Sequence, residues 1–285
     1  AFSQSINILY TDIHHEVDTE VTMNARGLLF LLILFLLGGM SFGQEVEVSE
    51  TRELELETGG IGALEIHCDG GDIGIASVRG LGKVTVSADI TVRGRDQARV
   101  EEIAAEDILI DLSRRGNRGV LTCRVRKTFI LMRLIRGEEK QVQLDIRVPA
   151  ELDLEIDIDE GELSVSRLSG SCTLLSGRGD CVLEGITGNV DIVDEAGDLR
   201  LSGINGEILV EDGSGDVEID SSGGSLRLVD TSGDVEIRNF SGPAYIEDTG
   251  GIITVAGLEG DLEIRARGRG DVKLSGVTGS IIQNY

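Results

Sequence analysis

Tryptophan is absent from the 285 residues, aromatic side chains make up only 3%, and proline occurs twice. Sugar recognition by aromatic stacking is therefore poorly supplied. Histidine occurs three times, twice at His14 and His15. Beyond residue 43 only His67 remains, which excludes a multi-histidine metal centre or a relay needing two imidazoles. Positive charge is also scarce: 26 Lys and Arg stand against 51 Asp and Glu, a net charge of -25. A nucleic acid would be repelled by most of such a surface.

Glycine is abundant, with 39 residues, and it is placed by a rule. From Gly161 it recurs every nine residues through Gly170, Gly179 and onward to Gly260. One extra residue enters near Arg267, and the series resumes at Gly270 and Gly279. Two and four residues after each glycine the side chain is apolar, as in Leu163/Val165, Val217/Ile219 and Val235/Ile237. Alternation of this kind marks a half-buried strand. A longer period lies on top: Leu168, Ile186, Ile204, Phe240 and Leu258 occupy every second turn, with Ser222 as the exception. The other turns carry polar residues and are expected to open to water. The repeat is thus 18 residues, two strands and two turns. One coil cannot bury its inward face alone, but stacked coils share a continuous core. The predicted fold is all-β: a single-chain parallel β-solenoid with a short helix and hairpin insertion near its N-terminal end. An antiparallel sandwich would not require the 18-residue superperiod.

Five segments follow. Met23 reads as the initiator, so 1–22 are expected to precede the translated protein. Residues 23–43 read as a signal peptide: Arg26, an apolar run, then Ser41-Phe42-Gly43 before a cut at Gln44. The apolar run is about 14 residues, short of the roughly 20 needed for a membrane anchor. Gly62, Gly71 and Gly80 keep the nine-residue spacing, so 44–94 are expected to form N-terminal coils. Residues 95–140 hold the insertion, with helix formers over 95–106 and strands beyond. Residues 141–285 hold the main repeats.

The extended segment Val142–Pro149, the following Leu152-Asp153-Leu154-Glu155-Ile156, and the Gly-Asp-Val-Glu-Ile strands at 215–219 and 233–237 resemble an adhesin-like family of bacterial envelope proteins. That family's domain is one of unknown function. The resemblance covers roughly residues 45–285. It implies an exported β-solenoid in the periplasm, outer envelope or extracellular space, and it brings no catalytic residues or cofactor.

Three groups invite chemistry. Asp216, Glu218, Asp234 and Glu236 should form a carboxylate patch over two coils with no cation inside it. Neighbours one rung apart repel by about 0.9 kcal/mol in bulk water. The patch reads as a solvated face, with calcium as the alternative. The segment 113–137 carries eight basic residues and no acid, among them Arg124, Arg126, Lys127 and Arg133. It is either an arm docked on its own stack or a foothold for an anionic envelope ligand or membrane surface. Cys172 and Cys181 should face each other across the core, read as buried thiols with a disulfide, if the coil is pinched there, as the alternative, and the spacing gives Cys68 and Cys123 no partner.

The reading is a non-enzymatic envelope or surface binding scaffold without a cofactor. Its rivals are a structural stack self-associating through its ends and a carbohydrate-active enzyme. Short identical coils supply no long loops to wall the cleft a glycosidase needs. If the leader is read correctly, the intact mass of the exported protein will correspond to a chain starting at Gln44. A mass that retains Leu28–Leu37 would mean a membrane-anchored protein.

Overall fold

The computed structural model describes residues 29–33 in backbone only, and residues 45–127, 137–267 and 270–284 in full. The expected leader over 23–43 lies outside the described residues except for 29–33. Along the chain come β1 (Leu29–Ile33), β2 (Val46–Glu57), β3 (Ala63–Cys68), β4 (Asp72–Val78) and β5 (Lys83–Gly94). Helix α1 (Gln97–Glu102) continues into a π turn, Ile103–Asp107. Next come β6 (Ile108–Arg115), β7 (Arg118–Val125), β8 (Glu139–Pro149), β9 (Asp153–Glu160) and β10 (Leu163–Ser166). The repeats give β11 (Cys172–Arg178), β12 (Cys181–Glu184), β13 (Val190–Ala196), β14 (Leu199–Ser202), β15 (Asn205–Asp212) and β16 (Val217–Asp220). The last are β17 (Gly223–Asp230), β18 (Val235–Ser241), β19 (Ala244–Asp248), β20 (Ile253–Glu259), β21 (Leu262–Ala266), β22 (Val272–Ser275) and β23 (Ile281–Asn284).

These strands wind into a β-solenoid of about 7 turns with about 18 residues per coil. The odd strands from β9 to β23 pair in parallel on one face, with Cys172 over Leu154 and under Val190. The even strands from β10 to β22 form the other, with Leu163 beside Cys181. The residues two and four after each glycine point inward, and from Leu163 to Ile264 they are buried. The turn residues Leu168, Ile186, Ile204, Phe240 and Leu258 are buried too. The extra residue near Arg267 leaves the register intact, since Ile253 pairs Val272.

The N-terminal part departs from simple winding. Of segment 44–94, only β3 and β4 lie in a coil. Strands β2 and β5 form an antiparallel ribbon instead, and β5 lies antiparallel to β8. Strand β3 is flanked in parallel by β7 and β9, and β4 by β8 and β10. The first coil in sequence is thus the second in space. The insertion returns beneath it to form the end rung, and β6 closes that rung's edge against β7. Helix α1 starts at the Asp96 cap, whose side chain accepts the Arg99 N–H, and it buries Val100. Arg52 fixes the following turn through the carbonyls of Ala104 and Ile108.

The glycine column sets the rise of the stack. Gly161, Gly179, Gly197, Gly215, Gly233 and Gly251 all have positive φ. A Cβ on any of them would be driven into the backbone carbonyl of the glycine one coil earlier. Gly82 has open space around its missing Cβ and no positive φ. Gly233→Ala should therefore cost more than about 3 kcal/mol, while Gly82→Ala stays within about 0.5 kcal/mol. Denaturant melts of the two variants check this, and equal costs would contradict the column.

Candidate functional site

Two sets of acidic residues arise from one repeat, and strand parity separates them. The acid that directly follows a glycine points outward, and its Oδ1 accepts a backbone N–H from the next coil. The Asp198 N–H donates to Asp180 at 3.0 Å, Asp216 to Asp198 at 3.2 Å, Asp234 to Asp216 at 2.9 Å and Ile252 to Asp234 at 2.9 Å. These residues splice one turn to the next. Charge-assisted bonds of this type are stronger than neutral ones. The expected carboxylate patch is therefore not free of cations: Arg238 pairs with Glu218 at 2.6 Å and with Glu236 at 2.5 Å. Arg200 lies 3.9 Å from Glu218. Long Arg side chains from a neighbouring position reach over the rungs, a reach that residue spacing alone does not display. Among the described residues, no group of three or more His, Cys, Asp or Glu is arranged to hold a metal.

The second set lies inside. Asp194, Asp212, Asp230 and Asp248 occupy the same corner in successive coils and are 1–3% exposed. The sequence pattern predicts this corner to be open to water. The strands instead run on past the fourth position, so the sixth residue after Gly188, Gly206, Gly224 and Gly242 turns inward. The 18-residue recurrence of aspartate was visible, but its parity was not followed far enough. With every carboxyl ionised, both oxygens of Asp194 and of Asp212, and Oδ2 of Asp230, would lack a hydrogen-bond donor. Asp230 and Asp248 each use Oδ1 to hold the turn, accepting the Ser232 N–H at 3.2 Å and the Gly250 N–H at 2.7 Å.

Burial raises the Asp194 pKa. Burial, then the neighbouring Asp230, pushes Asp212 up to about 8. Burial pushes Asp230 up to about 6, with the Asp248 charge adding and the Asp212 and Ser232 contacts opposing. The surrounding charges are all acidic: Asp180 and Glu195 act on Asp194, and Asp180 also acts on the buried Cys181 thiol beside it. Asp212 thus keeps its proton near neutrality and shares it with a flanking carboxylate.

The outer face of the odd strands carries different chemistry. Leu175 and Val193 are Cα partners on β11 and β13, exposed by 49% and 39%. Leu209 and Val229 stand half-buried nearby. Farther along, Tyr245 lies between two guanidinium groups, Arg227 at 4.7 Å and Arg265 at 5.3 Å from its ring centroid. Its hydroxyl donates to Glu247 at 2.7 Å. One groove of about 660 Å³ opens on the even face between β5, β8, β4 and β10, lined by small polar residues with Glu53, Asp145 and Arg147.

The model of the Toastrack family, DUF4097, matches residues 83–282. The chain belongs to this family. No functionally curated protein matches the chain. A candidate adhesin from Parabacteroides merdae is 12% identical, with 81% of this chain and 96% of that one covered and a TM-score of 0.29. A candidate cell adhesion protein from Clostridium sporogenes is 10% identical, with 83% and 100% covered and a TM-score of 0.29. A candidate lipid-binding protein from Parabacteroides distasonis is 12% identical, with 82% and 96% covered and a TM-score of 0.27. The Toastrack domain itself is one of unknown function.

In this Toastrack chain four basic residues of the segment 113–137 make contacts within the chain. Arg126 pairs with Asp107 at 3.3 Å, Lys127 with Asp159 at 3.2 Å and Arg118 with Glu155. Arg114 donates to the carbonyls of Gly59 and Gly60. Arg124 is exposed on β7. Arg133 and the apolar run at 129–135 lie outside the described residues, and the hairpin partner of β7 is β6. His67 sits outward on β3 between Glu65 at 2.7 Å and Asp157 at 3.5 Å.

The interior ladder has a signed consequence. An acid whose folded pKa lies above its unfolded value of about 3.9 stabilises the fold fully below that value. The contribution is lost as pH rises through the folded values, here about 6 and about 8. Stability should therefore fall between pH 5 and pH 8.5. Relief of surface repulsion has the same sign, so the comparison must be internal. Asp212→Asn should remove roughly 2–5 kcal/mol of that fall, while the outward Asp216→Asn leaves the slope unchanged. Melts across this range decide it.

Proposed function

We propose that this Toastrack chain is an exported, non-enzymatic scaffold that binds a macromolecular partner of the cell envelope or surface on the outer face of its odd strands. The observation that carries the reading is the contrast along that face. Leu175 and Val193 stand exposed side by side on a molecule of strongly acidic surface. Tyr245, Arg227 and Arg265 extend the face with the residue types that dominate binding energy at protein interfaces. Rigid parallel strands hold these side chains in fixed rows, so little ordering cost is left for the moment of binding. The acids with strongly raised pKa lie in the core and do not line the groove described above, which supports binding over hydrolysis. No helix among the described residues is long and apolar enough to cross a membrane.

The test is a photo-reactive residue placed singly at Leu175, Val193 or Tyr245, and at the exposed turn residue Ser214 as control, in cells that produce the protein. A discrete adduct is expected from the three face positions and none from the turn. Adducts that are absent from all face positions, or equal at the turn, would overturn the reading.

A further inference from the structure

The two cysteines that the sequence leaves without partners are neighbours. Strands β3 and β7 run parallel in register, and Cys68 stands directly opposite Cys123. Both side chains point into the core, 3% and 0% exposed. Adjacent strands lie 4.7–4.9 Å apart, inside the 4.4–6.8 Å window of Cα separations that a disulfide accepts. The Cβ atoms of a disulfide must come closer than this spacing, near 3.8 Å. Cys68 ends β3 and is followed by Asp69-Gly70-Gly71, so the backbone there has glycine freedom to close the difference.

We propose that Cys68 and Cys123 form a disulfide when the chain folds in the presence of a disulfide oxidant, bolting the first coil in sequence to the end rung beneath it. The Cys123 thiol points toward the Gly70 carbonyl at 4.0 Å, and the mutual influence of the two thiols lowers the Cys68 pKa and raises that of Cys123. Taking Cys68 as the first to react, its thiolate attacks one sulfur of the oxidant and releases the other half as a thiolate. Cys123 then loses its proton and attacks the Cys68 sulfur, and the second half of the oxidant leaves. Two protein thiols and one oxidant disulfide become one protein disulfide and two small thiols, with both protons ending on the latter. Reaction during folding is required, because the finished fold covers both sulfurs.

The other two cysteines form an internal contrast. Cys172 and Cys181 lie on opposite faces of the coil, β11 and β12, about 10 Å apart as packed sheets are. Burial pushes their pKa values up to about 12 and about 11. They should stay reduced under the conditions that oxidise the first pair.

The experiment refolds the full, reduced chain in a buffer of reduced and oxidised glutathione, then denatures it and alkylates all free thiols. The expected product carries two alkyl groups, on Cys172 and Cys181, and yields a proteolytic fragment joining the peptides of Cys68 and Cys123. It should melt several degrees above the reduced form. The Cys123→Ser chain should give no internal disulfide. Should that variant fold poorly, the fragment map of the wild-type chain decides alone. Four alkylated cysteines in the refolded wild type, or a bond through Cys172 or Cys181, would overturn the proposal.

Discussion

Everything in this molecule depends on how closely one backbone turn can lie on the next. At the glycine column a Cα sits against the carbonyl of the previous coil with no room for a side chain. This contact fixes the rise per coil at the hydrogen-bonding distance of a parallel sheet. It also favours coils that close in the same number of residues, and the one extra residue of the repeats falls between β21 and β22. Inward side chains then stack on their equivalents, so Val190, Ile208 and Leu226 form one column of the core. The regular sequence is the cost of that geometry, since a single misplaced residue would turn a whole face outward.

The same geometry separates two uses of one residue type. An aspartate one place after glycine meets the backbone N–H of the next turn and accepts its hydrogen bond. An aspartate six places after glycine meets another aspartate and must share a proton with it. The first stitches coils together. Fully ionised, the second would leave buried carboxyl oxygens without donors, which normally costs a protein stability. Phe240 and Leu258 fill the opposite corner with apolar volume, so the ladder is a polar seam along one corner of an otherwise dry core.

The fold of the repeats was legible because its cause is periodic. Gly161 to Gly260 display the turn, the apolar pairs display the strand, and the turn residues display the coil length. Part of what escaped was set by contacts between positions that are not one period apart. The pairing of Cys68 with Cys123 depends on where an insertion docks, and no spacing encodes that. Arg238 closes the carboxylate patch from a position outside it. The Asp194 corner was missed because the alternating pattern was stopped at four residues when the strand continues to seven. The Tyr245 stack combines three residues from successive coils, none unusual alone. The segment 44–94 looked like coils since Gly62, Gly71 and Gly80 keep the spacing, yet β5 leaves it to pair antiparallel with β2.

The displaced order of the first coil bears on how the chain resists force. In a simple solenoid a pull on one end peels rungs one at a time, each held by a single neighbour. Here β3 and β4 are hydrogen-bonded on both sides, between the rung of β7 and β8 and the rung of β9 and β10. Tension that enters from the N-terminal side reaches β3 through the β2 ribbon and must shear it from two strands at once. Unzipping cannot begin at that end, and the interior rung acts as a mechanical latch for the stack above it.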